Sequence, residues 1–143
     1  MTDDCIFCRI IDGDIPSRTV YEDEDVFAFL DVNPLATGHT LVIPKAHHER
    51  LDDLPEGLSS SLFDAVHALT PAIETAVNAD ATTIGINNGP AAGQEVPHVH
   101  VHIVPRFEGD GGGPIHAIEP DRPDPSDDEL DATLVAIGEA IDR

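Results

Sequence analysis

Apolar side chains at Leu58, Leu62, Val66, Leu69, Ile73 and Val77 recur at steps of four, four, three, four and four, the spacing of one face of an α-helix. The main helix is therefore expected over 58–77. Pro71 should kink or split it, because proline lacks the N–H that an intrahelical bond needs. Shorter apolar runs at Thr19–Glu22, Val26–Leu30, Thr40–Ile43, Thr82–Asn87 and Val96–Pro105 read as strands, and Asn33-Pro34, Gly38 and the stretch from Asn88 to Glu95 read as the loops between them. Residues 4–11 form a short helix ahead of a turn at Pro16. The Gly-, Pro- and Asp-rich stretch 108–125 reads as an irregular arm, after which Ser126 and Glu129 make a capping box. That box opens a final helix with Leu130, Leu134, Ile137 and Ile141 on one face. The expected architecture is α+β, with about five antiparallel strands and helices packed on one face. Residues 1–107 should form the main domain, and 108–143 an arm and amphipathic helix packed on it or on a partner chain.

Composition changes this picture in one respect. A 41% apolar content is ordinary for a folded domain, but 28 acidic residues stand against 7 basic ones, Lys45 being the single lysine, for a net charge of −21. The charges are scattered among periodic apolar groups rather than blocked, which argues for a folded protein with an acidic coat and against disorder. Such a coat suits very high salt of the halophile type, where a Debye length of ~3 Å lets the chain admit a phosphate. It excludes a general affinity for nucleic acid or an anionic membrane. No run approaches the ~20 apolar residues of a membrane span, and the first residues lack a basic signal region, so a cytoplasmic location is expected.

The candidate chemistry is concentrated in His98, His100 and His102, at strict period two. On an extended segment this places the imidazoles on one face and Val99, Val101 and Ile103 on the other. The outer Cα atoms would lie roughly 13 Å apart, so one metal ion does not take all three rings. A neutral imidazole can attack phosphorus while a neighbour holds the phosphate oxygens. The preceding loop, with Asn87, Gly89, Gly93 and Gln94, can bring backbone N–H groups to an anion. Cys5 and Cys8 are too close for a fold-closing disulfide and read as a metal knuckle or a redox pair. No βαβ unit follows to support a thioredoxin-like motif.

The segment His98 to Val104 resembles the signature of the histidine-triad (HIT) family. Cys5 to Ile11 with Ile15-Pro16, Phe27 to Asp31, and Gly38 to Lys45 with His47 agree with the same family in order and spacing. The likeness covers roughly 4–107 and is greatest to the prokaryotic Hint-type branch. It implies a homodimer that binds purine nucleotides. It also implies that His100 is the nucleophile, that His102 contacts the phosphate, and that His39 is near enough to orient His100, whose tautomer is to be fixed by His39 or by a backbone carbonyl. Phe7, Ile10, Phe29 and Leu41 resemble the base pocket and Asp31 the ribose carboxylate. Asn87, Gly93, Gln94 and the backbone of Glu95 and Val96 match the phosphate loop. Relatives with the cysteine pair complete a structural zinc site with two histidines, here His47 and His98. Glu95 departs from the pattern, standing where many relatives have a small hydroxyl residue. A carboxylate there would repel phosphate unless turned outward.

The activity this resemblance implies is cleavage at the α-phosphate of a nucleoside phosphoramidate or related conjugate through a nucleotidyl-histidine. Alternatives are splitting of dinucleoside polyphosphates, nucleotidyl transfer to a second phosphate, or a low-turnover nucleotide-binding regulatory module. A DNA-repair role would want a basic surface or an added zinc finger, and the sequence has neither. His48, His67 and His116 match no motif position and are assigned to surface or packing.

Overall fold

The computed structural model describes residues 4–118 and 122–141. The chain divides into two units, Met1–Gly112 and Gly113–Arg143. In the first, β1 (Thr19–Glu22), β2 (Val26–Leu30), β3 (Thr40–Pro44), β4 (Ala81–Gly85) and β5 (Val101–Arg106) form one antiparallel sheet in the order β1-β2-β3-β5-β4. Helices α1 (Ile6–Ile11) and α2 (Glu56–Val77) belong to this unit, and α3 (Asp127–Ile141) to the second.

The period-two alternation of the central strands sorts their side chains into two cores. Val26, Ala28, Val42, Val101 and Ile103 face α2, where they bury Leu62, Ala65, Val66 and Ile73. Each fully buried side chain of this kind contributes about 1.5–3 kcal/mol. On the opposite face Phe27, Phe29, Leu41 and Ile43 enclose Cys5, Phe7 and Cys8 of the N-terminal segment. The helices therefore do not all share one face. A helix of six residues cannot stand alone in water, and α1 is held by the aromatic layer beneath it. Leu41 pairs with His102 across β3 and β5, so this second face also carries the end of the histidine row.

Pro71 does not split α2, which runs unbroken from Glu56 to Val77. Beside the lost bond, the Thr70 hydroxyl donates to the Val66 carbonyl at 2.7 Å. The helix stops at Asn78, which takes a left-handed φ of 61° and returns its N–H to the last carbonyls. The ladder of β5 begins at Val101 rather than Val96. Pro97 has no N–H to give, and the next two N–H groups bond outside the sheet, His98 to the Val96 carbonyl and Val99 to the His48 carbonyl, each at 2.8 Å. Val99, Val101 and Ile103 are nevertheless all buried, and His98 and His100 are buried with them, so burial alternates only from Val101 onward. β4 likewise ends at Gly85, two residues short of Asn87.

In the second unit the expected capping box closes. Ser126 N–H donates to Glu129 Oε1 at 2.9 Å, and Glu129 N–H donates to Ser126 Oγ at 3.2 Å. No described helix is long and apolar enough to cross a membrane.

Candidate active site

Each ring of the histidine row has one nitrogen fixed by a partner that can act in one sense only, and this settles which nitrogen remains for chemistry. The carbonyl of His98 lies 2.8 Å from His100 Nδ1. A carbonyl only accepts, so His100 carries a proton on Nδ1, and Nε2 is the nitrogen left for other partners. Phe7 meets the His100 ring edge to face, with centroids 5.0 Å apart and planes at 85°. The backbone hydrogen bond and this packing together hold the ring in place.

His102 is fixed through a second histidine. The N–H of Leu35 donates to His39 Nδ1 at 3.0 Å, and a backbone amide only donates, so the His39 proton is on Nε2. That nitrogen is 3.0 Å from His102 Nδ1, which must accept, and the His102 proton is therefore on Nε2. Of the two partners expected for His100, the backbone carbonyl orients it, and His39 orients His102 instead. Burial lowers the His39 pKa against the opposing pull of Asp31, whose Oδ2 is 3.7 Å away. Burial and then the neighbouring His100 and His39 push His102 down to about 4. Both rings are thus neutral near pH 7, and His102 offers an N–H and not a charge.

His100 and His102 line a cavity of about 410 Å³ together with Phe7, Ile10, Phe29, Asp31, Leu41, Glu95 and Val96. Ile6, Ile15, Pro16, Ser17, Leu30, Val32 and Asn33 complete its wall; of these, Ser17, Val32 and Asn33 lie outside the motif segments. A wall rich in apolar and aromatic groups with a few converging polar ones is the form of a small-molecule site. Asp31 Oδ1 accepts the Asn33 N–H at 2.9 Å, which fixes the carboxylate at the cavity rim. Among the described residues lining the cavity there is no lysine or arginine. An anion there must be held by neutral donors. The N–H groups of Glu95 and Val96 bond to no acceptor among the described residues, and His102 adds its own.

The loop that presents these amides is shaped by side chains turned into it. Gln94 Oε1 accepts the Gly89 N–H at 2.8 Å, while its Nε2 donates to the carbonyls of Glu49 at 2.7 Å and Val96 at 3.0 Å. Gln94 therefore positions the loop rather than lining the cavity. Asn87 and Gly93 also lie off the cavity wall; Gly93 supplies a φ of 97° that a side chain would resist. The residue that sequence reasoning passed over is Asn88. Its Oδ1 accepts the Leu51 N–H at 2.8 Å and its Nδ2 donates to Asp52 at 3.2 Å. Only its place beside Asn87 could have singled it out.

His98 belongs to a second cluster. Its Nε2–H donates to the Pro44 carbonyl at 2.8 Å, which turns the Nδ1 lone pair toward Cys5 Sγ at 3.3 Å and Cys8 Sγ at 3.5 Å. His47 Nδ1 is 3.4 Å from Cys8 Sγ. All four ligand atoms lie within 4.8 Å of one another. Burial and the neighbouring Cys5 push the Cys8 thiol up to about 12, so the Cys8 sulfur holds its proton unless a cation replaces it.

The comparisons with known proteins agree with this geometry. The HIT domain matches residues 12–109. An adenosine 5′-monophosphoramidase of Saccharomyces cerevisiae is 41% identical over 108 residues, spanning 76% of this chain and 66% of that protein. A Streptococcus mutans protein of known structure superposes with a TM-score of 0.88 at 41% identity, covering 97% of this chain and 86% of the other. A zinc-bound histidine triad family protein from Mycobacterium smegmatis does so at 0.73 and 36% identity, covering 98% and 99%. With that domain matched over residues 12–109 and relatives more than 40% identical over three quarters of its length, the chain belongs to the HIT domain family.

Proposed function

We propose that this protein hydrolyses nucleoside phosphoramidates or related nucleotide conjugates at the α-phosphate, through a nucleotidyl adduct on His100. One observation carries the reading: His100 Nε2 is left for other partners in a cavity where the free N–H groups of Glu95 and Val96 are the anion donors. The base would lie between Phe7, Phe29, Ile10 and Leu41, with the ribose hydroxyls on Asp31. Nε2 attacks phosphorus, the bond from phosphorus to the leaving nitrogen breaks, and the amine departs with that electron pair and takes a proton from solvent. Water then attacks phosphorus and gives a proton to solvent, the Nε2–P bond breaks with its electron pair returning to Nε2, and the nucleoside monophosphate is released with His100 restored. The His102 N–H and the loop amides stabilise charge on the phosphoryl oxygens during both transfers. The relative named as an adenosine 5′-monophosphoramidase supports this leaving group.

Adenosine 5′-phosphoramidate should release AMP. His100→Ala should lower turnover by at least about a thousandfold, with nucleotide affinity within a few-fold of the parent, because Asp31 and the apolar wall are untouched. Rapid-quench mass spectrometry should find the adduct on His100. Substantial turnover by the variant would overturn the mechanism.

Cys5, Cys8, His47 and His98 are proposed to hold a structural zinc. A tetrahedral zinc, with Zn–S near 2.3 Å and Zn–N near 2.0 Å, sets its ligand atoms roughly 3.3–3.8 Å apart. The observed sulfur-to-nitrogen distances of 3.3, 3.4 and 3.5 Å fit that spacing. The metal would tie α1 to the histidine row and take no part in the reaction. The working protein is proposed to be a homodimer, soluble in the cytoplasm.

A further inference from the structure

We infer that Glu95 selects, within the hydrolase reading proposed above, substrates whose leaving amine carries a second, protonated amine, such as a diamine or lysine-like group. The cavity that holds His100 and His102 is lined by two acidic residues, Asp31 and Glu95, and by no lysine or arginine among the described residues. The two carboxylates are not equivalent. Asp31 accepts the Asn33 N–H and has His39 Nε2 3.7 Å away. Glu95 is exposed and has no hydrogen bond or ion pair among the described residues.

The place of Glu95 in the loop gives that charge its consequence. Its own N–H and that of Val96 are the free donors of the cavity, so a phosphate held there sits beside the chain from which the carboxylate projects. The base and ribose are accounted for by the aromatic wall and by Asp31. What remains to meet Glu95 is the group attached on the other side of phosphorus. A polyphosphate or sulfate leaving group brings further negative charge to an uncompensated carboxylate in a cavity with no cation. A leaving group with a positive end is attracted there, and each unit of its charge should change kcat/KM by about tenfold at separations of this order near a protein surface. The same argument places dinucleoside polyphosphates among the poor substrates.

Three adenosine 5′-phosphoramidates of matched length test this: those of ethylenediamine, propylamine and β-alanine, with cationic, neutral and anionic ends. In dilute salt the parent protein should favour the ethylenediamine over the β-alanine compound by about a hundredfold in kcat/KM, one factor of ten for each charge step. Glu95→Gln should reduce that ratio at least tenfold and Glu95→Lys should invert it. Comparing proteins on the same compounds cancels differences in basicity among the amines. A ratio unchanged in Glu95→Gln overturns the inference. Calorimetric binding of the three compounds separates this from the activity itself. A charge preference in binding without turnover overturns only the hydrolase reading, whereas equal affinities for all three overturn the role of Glu95.

Discussion

At the scale of single residues the site is an arrangement of proton positions. Leu35 N–H sets the tautomer of His39, and His39 sets that of His102. This relay works only with neutral rings, and neutrality carries a stability consequence. The folded chain holds His102 at a pKa of about 4 against an ordinary 6.5, with burial as the main cause. Between those values the unfolded chain takes up a proton that the folded one refuses, so acid favours unfolding. The contribution is whole above pH 6.5 and is lost as pH falls toward 4. His102→Gln removes this titration, and its melting temperature should fall less steeply than that of the parent between those pH limits. Parallel profiles for the two proteins would show that His102 does not titrate in this way. The period-two row and its apolar complement were legible in the sequence. The relay was not, because it depends on a backbone amide at Leu35, and nothing in a residue's type reports where its N–H points.

At the scale of elements, apolar runs and helical spacing locate the five strands, α2 and α3, while the short 3-10 turns at Leu51–Asp53, Pro90–Ala92 and Ile115–Ile118 and the ends of the strands are decided by contacts that patterns do not record. β5 begins late because Pro97 has no N–H to give and because His98 and Val99 bond outside the sheet, Val99 to His48. Gln94 was read as a phosphate contact, yet its side chain shapes the loop, since loop hydrogen bonds join residues as distant as Glu49. Turns between elements are where such local demands are strictest. Gly38 turns the chain into β3 at a φ of 90°, and a Cβ there would lie 2.9 Å from Val77 Cγ1 and 3.3 Å from Pro105 Cγ. Gly38→Ala should therefore cost about 2 kcal/mol in denaturant unfolding, from left-handed strain and the clash with the end of α2. A loss below ~0.5 kcal/mol, the scale of an ordinary surface substitution, would show that the turn relaxes freely. The cluster of Cys5, Cys8, His47 and His98 joins α1 to the segment before β5. Removing one ligand should loosen that join: Cys5→Ala should lose bound zinc by metal analysis and several degrees of melting temperature. Metal-free parent protein, or unchanged stability in the variant, would remove the site.

At the scale of the whole molecule, charge governs the balance. The described cations are few and several are already engaged: Lys45 with Glu22 at 2.6 Å, Arg50 with Asp52 at 3.1 Å and Arg106 with Asp110 at 2.9 Å. Against a net charge of −21 these pairs offset little, and exposed pairs of this kind contribute about 0–1 kcal/mol each. The folded state concentrates negative charge that the unfolded chain spreads out, so self-repulsion lowers stability wherever it is unscreened. Raising salt from about 0.01 M to about 1 M shortens the Debye length from roughly 30 Å to roughly 3 Å and removes most of that repulsion. Melting temperature should rise steadily across this series. Association should follow, because bringing together two chains of −21 adds a repulsion that the same screening removes. The proposed dimer has surface to use, with β4 at the edge of the sheet, Ile84 on that strand 42% exposed and Phe63 on α2 41% exposed. Light scattering over the same salt series should show the mass moving from one chain toward two as salt rises. A melting temperature independent of salt would rule out the acidic coat as an adaptation to brine, and a single-chain mass in molar salt would rule out the dimer.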